Sequence, residues 1–230
     1  PSLLRKLDYN PGAIWIEKKI KNIVLKNIKE VDLVVILGSA IQTNYRDYRD
    51  IDIIIAVKNV LEVKEKERLT WVLIEAGKKE GLNLDIQIYA KKSILEQYSH
   101  SPSLIYQLKD SKVIYGKLKI LSKIELSNLD LKMKLDWSEG LDIDSRPSEI
   151  YYALRNAMLV MQLTAGKVDN YQLKRNLVNS LGEDLIIRLI DDTASNIEKK
   201  LALSYLNLLV KYLENKLKES KWEKIAISSH

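Results

Sequence analysis

The stretch VVILGSAIQTNYRDYRDIDIIIAV, residues 34 to 57, constrains the fold more than any other part of the chain. Its two β-branched runs, Asp32 to Leu37 and Ile51 to Val57, are short and continuously apolar, the pattern of strands buried on both faces. Each is interrupted where a packed sheet does not require it. Gly38-Ser39 closes the first run and Asp50-Ile51-Asp52 opens the second. Aspartate is depleted in strands, and like charges side by side on one face repel. Residues i and i+2 of a strand share a face, so Asp50 and Asp52 are expected next to each other.

The flanking periodicities place these runs in a mixed fold. Ile16, Ile20, Ile23 and Val24 form one helical stripe after Pro11. Leu69, Val72, Leu73 and Ala76 form another, with Gly81 as its stop. Leu84 to Tyr89 alternates as a third strand, with Leu84, Ile86 and Ile88 on one face and Asp85, Gln87 and Tyr89 on the other. Ser93 to Glu96 reads as a capping box opening a short helix, and Val113 to Gly116 as a final edge strand. The first half therefore reads α-β-β-α-β-α-β. Residues 117–145 read as a mixed connector. From Pro147 the pattern is helical throughout, with one stripe at Ile150, Leu154, Ala157, Met158 and Met161. A Ser195–Glu198 capping box leads into a second stripe at Leu206, Leu209, Val210, Leu213 and Leu217. The expected architecture is an α+β domain with a mixed sheet over residues 1–120 and an all-α helical bundle over 121–230.

The chain of 230 residues, 46% hydrophobic and 30% charged, has the balance of a globular protein with a true core. There is no cysteine, which excludes disulfides, thiolate metal sites and cysteine nucleophiles. Its only histidines are His100 and His230, so neither a His-based metal centre nor a Ser-His-Asp triad has the material it needs. No apolar run is long enough to span a bilayer, and PSLLRKLDYNPGAIW lacks a signal-peptide core; a cytoplasmic protein with no membrane partner is expected. The 37 Lys+Arg against 31 Asp+Glu suit a polyanionic partner, although interspersed charges are more often a solvated surface.

Asp85 on the third strand can be brought beside Asp50 and Asp52. Two carboxylates about 4 Å apart repel by about 1 kcal/mol in water and more at lower dielectric, so such a cluster is unfavourable until a divalent cation reverses the sign. Mg²⁺ is held by one or two protein carboxylates plus substrate phosphates. A pair of such ions clamps the attacking and leaving oxygens of an in-line phosphoryl displacement. A glycine at the neighbouring strand end lets the backbone approach a phosphate, and the amides and hydroxyl that follow can donate to it.

These motifs, Leu37-Gly38-Ser39, Asp50-Ile51-Asp52-Ile53 and Leu84-Asp85-Ile86, resemble those of the DNA polymerase beta-like nucleotidyltransferase superfamily over about residues 10 to 116. With the Lys-Asp-Ser-Lys-Val-Ile-Tyr-Gly116 ending and a helical second half, the chain looks most like the minimal and aminoglycoside-type members. The resemblance implies that Asp50 and Asp52 bind Mg²⁺. It implies that Asp85 helps bind a second ion or accepts the proton of the attacking hydroxyl. It also implies that Gly38 and Ser39 hold the β and γ phosphates of an NTP. A nucleoside monophosphate would then pass to a hydroxyl on a small molecule or a protein side chain, with release of pyrophosphate. Many members have Arg-Gly soon after Gly-Ser and a serine before the first Asp; here Ala-Ile-Gln-Thr-Asn and Arg49 stand instead.

The remaining candidates have plainer readings beside the functional one. Asp47 falls outside the strand alternation and reads as a solvated loop residue. Arg46 and Arg49 can meet a triphosphate, but surface loop arginines are the commoner case. Arg155, Lys174 and Arg175 can bind nucleotide phosphate or an anionic substrate, against the commoner solvated helix face. Tyr151, Tyr152, Met158 and Met161 read as core before substrate-stacking groups. Arg155 is followed by no histidine before residue 230, so the Arg-x4-6-His mark of HEPN ribonuclease domains is missing. The rival function is a non-catalytic module of the same fold that binds nucleotide, RNA or protein, as an antitoxin-like half of a pair. Its difficulty is that a binder gains nothing from three repelling acids. A partner protein or a homodimer stays open, and a nucleic-acid partner is disfavoured.

Overall fold

The computed structural model describes residues 12–46, 48–98, 100–109, 111–118, 123–219 and 225–228. They divide into two compact units, the first holding residues 12–98 and 103–118, the second 100–102 and 123–228. In the first, the order is α1 (Gly12–Asn27), β1 (Val31–Leu37), α2 (Ser39–Gln42), β2 (Ile51–Val57), α3 (Val63–Lys79), β3 (Leu84–Ala90), α4 (Lys91–Tyr98), α5 (Pro102–Lys109) and β4 (Lys112–Gly116). The sheet runs β3-β2-β1-β4, with β2 parallel to β3 and β1 antiparallel to both of its neighbours. The mixed sheet expected from the sequence is therefore present.

The apolar runs behave as their composition dictates. Val34, Ile36, Ile53, Ile55, Ile86 and Ile88 join Ile20, Val24, Leu69 and Leu73 of α1 and α3 in one core. The alternate row, Leu33, Val35, Leu37, Ile54 and Ala56, is also buried, so the two central strands have no wet face. Helix α4 packs against β2 and β3. It begins at Lys91, which places Ser93 inside the first turn rather than at a cap. Helix α5 is an element the sequence pattern did not reveal; its eight residues open on Pro102 and bury Leu104, Ile105 and Leu108.

In the second unit, α7 (Pro147–Thr164) is central and packs against α6 (Asn128–Asp136), α8 (Asn170–Leu181), α9 (Glu183–Ile190) and α10 (Asn196–Glu219). Ile150, Leu154, Ala157 and Met158 are buried in one stripe, and Met161 is half-buried. The Ser195–Glu198 box is formed: Ser195 N donates to Glu198 Oε2 at 2.8 Å and Glu198 N to Ser195 Oγ at 3.4 Å. Two features depart from the connector and all-helix readings. Residues 117–145 contain α6, opened by a capping box of Ser127 and Asp130. A two-stranded antiparallel ribbon also joins β5 (Lys123–Leu126) to β6 (Ile225–Ser228), from Lys123↔Ser228 to Leu126↔Ile225. Four-residue strands paired across most of the second unit leave no local signal in the sequence. No helix among the described residues is long and apolar enough to cross a membrane.

Candidate active site

The topology gathers the sequence motifs at one end of one sheet. Because β1 is antiparallel to β2 and β2 is parallel to β3, the C-terminal end of β1 lies beside the N-terminal ends of β2 and β3. Leu37, Asp52 and Asp85 are partners in a single row across the three strands. Asp52 and Asp85 therefore project side by side from the same face. Asp52 is half-buried, and Asp85, on the edge strand, is exposed.

Gly38 follows Leu37 with φ +75, a backbone that L side chains rarely adopt. A Cβ built there would lie 1.9 Å from Asp52 Oδ2, so the glycine leaves room for this carboxylate at the strand end. The α2 turn starts at Ser39, whose side chain is exposed. Asp50 sits in a bend one residue before β2 and is half-buried. It lies outside the regular alternation that aligns Asp52 with Asp85. Its segment is tied on both sides to Asn83, the residue before β3: Ile51 N donates to Asn83 O at 2.8 Å, and Asn83 Nδ2 donates to Arg49 O at 3.1 Å.

The loop from Ser39 to Asp50 is braced by residues that the sequence pattern did not single out. Thr43 Oγ1 donates to Ser39 O at 2.8 Å, and Tyr45 N to Ala40 O at 2.7 Å. Tyr45 is buried, and its hydroxyl donates to Glu17 Oε1 of α1 at 3.1 Å; Lys112 of β4 meets the same oxygen at 2.8 Å. Burial, and then the neighbouring Glu17 carboxylate, push the Tyr45 phenol above its ordinary range, so it remains a donor. No periodicity marks these three residues, because each belongs to a different element.

Among the described residues, no three acidic or histidine side chains form a ready-made metal cage. What the fold presents is two carboxylates in register, with a third just ahead of β2. That donor set fits Mg²⁺, which takes hard oxygen ligands and leaves much of its shell to water and phosphate. Arg46 and Arg49 are exposed in the loop between, and Asp47 lies outside the described residues, as does His230. In the helical unit Arg155 and Lys174 are half-buried and Arg175 is exposed. Tyr151 and Met158 are core, as their spacing indicated, whereas Tyr152 is 52% exposed.

No protein-family model matches the chain, and neither does any curated protein. Among solved structures, spectinomycin adenyltransferase AAD(9) from Enterococcus faecialis, determined with ATP and spectinomycin, matches with a TM-score of 0.56. The match has 20% identity and covers 89% of this chain and 99% of that one. The chain has the nucleotidyltransferase fold. Two toxin–antitoxin chains also match. One is from a complex with AMP-PNP, at 24% identity over 44% of this chain and 73% of that one, with a TM-score of 0.33. The other is from the complex of the tri-AMPylated Shewanella oneidensis HEPN toxin with its MNT antitoxin, at 23% identity over 46% and 73%, with a TM-score of 0.32. At those scores neither carries weight. At this end of the sheet, the half-buried Asp52, the exposed Asp85 level with it and the left-handed Gly38 are features that core packing does not explain.

Proposed function

We propose that the protein is a Mg²⁺-dependent nucleotidyltransferase that moves a nucleoside monophosphate from an NTP to a hydroxyl group and releases pyrophosphate. One observation carries this reading: Asp52 is registered with Asp85 on one side and faces the Cβ-free Gly38 on the other. Two acids and a glycine at one strand end cost stability and suit a metal-bound polyphosphate.

In this reading Asp50 and Asp52 would hold Mg²⁺, which would supply charge neutralisation at the transferring phosphoryl group. The Gly38 backbone and the Ser39 amide and hydroxyl donate to the β and γ phosphates. Asp85, exposed at the sheet edge, accepts the proton of the attacking hydroxyl. Residues 1–120 form the catalytic domain and 121–230 a helical domain. We favour a small polyhydroxylated acceptor over a protein side chain, because the likeness that carries weight is to an enzyme solved with spectinomycin. The compartment proposed is the cytoplasm, where NTPs and Mg²⁺ are abundant.

Isothermal titration of ATP, GTP, CTP and UTP, with and without Mg²⁺, tests the reading on the wild type and on Asp50→Asn/Asp52→Asn. Metal-dependent binding of at least one NTP, abolished in the double variant, is expected. Binding indifferent to metal and mutation, or none, overturns the transferase reading in favour of a non-catalytic module.

A further inference from the structure

Beyond Asp85, β3 carries a polar row that the phosphate chemistry does not use. Residues 85, 87 and 89 share one face of this edge strand, while Leu84, Ile86, Ile88 and Ala90 are buried on the other. The β2 partners of Gln87 and Tyr89 are Ile54 and Ala56, both wholly buried, so packing alone would favour apolar residues at 87 and 89. Instead both side chains are half-buried and joined: Tyr89 Oη donates to Gln87 Oε1 at 2.9 Å. The Tyr89 ring is held in turn under the ammonium of Lys66 from α3, 5.3 Å from its centroid. Burial raises the Tyr89 phenol above its ordinary range, which keeps it protonated and donating.

Fixing the carboxamide oxygen fixes the carboxamide nitrogen. With Oε1 engaged by Tyr89, the two N–H donors of Gln87 are turned away from the tyrosine. Along a strand, positions 85 and 87 stand about 6.6 Å apart. That spacing suits a single ring whose neighbouring oxygens each form a hydrogen bond of about 2.8 Å, one to each side chain.

We propose that Gln87, oriented by Tyr89, is an acceptor-binding residue that donates to an oxygen adjacent to the hydroxyl attacking at Asp85. The acceptor it selects carries two neighbouring oxygens, as a cyclic polyol does, rather than one isolated hydroxyl. The inference rests on the transferase reading above, and it assigns specificity to the third strand rather than to the phosphate loop.

The test uses the full chain saturated with Mg²⁺ and α,β-methylene-ATP, which cannot transfer its nucleotide, titrated with spectinomycin and with myo-inositol. Nucleotide affinity and the melting temperature, measured first on each variant, report whether the fold and phosphate site are in place. The wild type binds at least one polyol. Gln87→Leu, which leaves an acceptor oxygen without its donor, weakens that binding about tenfold. Tyr89→Phe frees the amide to rotate and weakens it about threefold. Should Gln87→Leu fail to fold, Gln87→Glu, which replaces the donor with a carboxylate near Asp85, decides with a loss at least as large. Equal polyol affinity in the wild type and the Gln87 variants, or no polyol binding by the nucleotide-loaded wild type, overturns the proposal and leaves the transferase reading standing. Failure of the wild type to bind the nucleotide overturns both.

Discussion

The end of the sheet in the first unit and the helical second unit follow different rules. Along α7 the apolar residues are buried against four neighbouring helices, and polar groups such as Glu149, Ser127 and Ser195 serve at helix ends. Burial of an apolar stripe and capping of helix ends are choices that favour folding. At the sheet end the choices run the other way, with a left-handed backbone at Gly38, a carboxylate packed against it and a second carboxylate in register alongside. Topology thus gathers at one place residues that packing alone would reject.

The contrast can be tested by substitutions that separate chemistry from stability. The largest effect expected is for Asp52→Asn, which lowers nucleotidyl transfer on the order of 10³-fold while shifting the melting temperature by no more than a few degrees. Pyrophosphate release and thermal melting measured on one preparation check this, and a large stability loss would make Asp52 scaffold. Next comes Leu154→Ala in the fully buried stripe of α7, which costs about 2 to 5 kcal/mol in urea unfolding. A smaller cost would mean that the helical core is loosely packed.

Gly38→Ala falls between the two regimes, with an expected loss of about 1 to 3 kcal/mol from the forced φ and the 1.9 Å approach to Asp52 Oδ2. Combining it with Asp52→Ala removes the clash but not the backbone cost, so the double variant recovers only part of the loss. Additivity in that cycle would show that the two residues do not touch. Smallest is Ser127→Ala, expected to cost about 1 kcal/mol because it removes the Ser127 Oγ that accepts from Asp130 N at 3.1 Å in the α6 capping box. Transfer activity should be unaffected.

Much of this was legible because its cause is local. The runs Asp32–Leu37 and Ile51–Val57 announce doubly buried strands through continuous β-branched composition. The stripes of α1, α3, α7 and α10 follow from the 3.6-residue repeat. Other features were not legible because their cause is distant. The β5–β6 ribbon pairs two four-residue segments at opposite ends of the second unit, and α5 is too short for its period to stand out. The Tyr45–Glu17–Lys112 contact joins a loop, a helix and a strand, and Asn83 braces Asp50 from the turn before β3.

Sequence by itself determined most element types of the first unit, the long helices of the second and the residues worth suspecting, since composition, periodicity and the cost of an aspartate in a strand are properties of short segments. Only the tertiary structure decided which of those residues meet. Strand order and direction put Asp52 level with Asp85 and seat its carboxylate against Gly38, leaving Asp50 just outside the regular ladder. Register is set by long-range pairing and by the burial of both sheet faces, and no window of the chain contains that information.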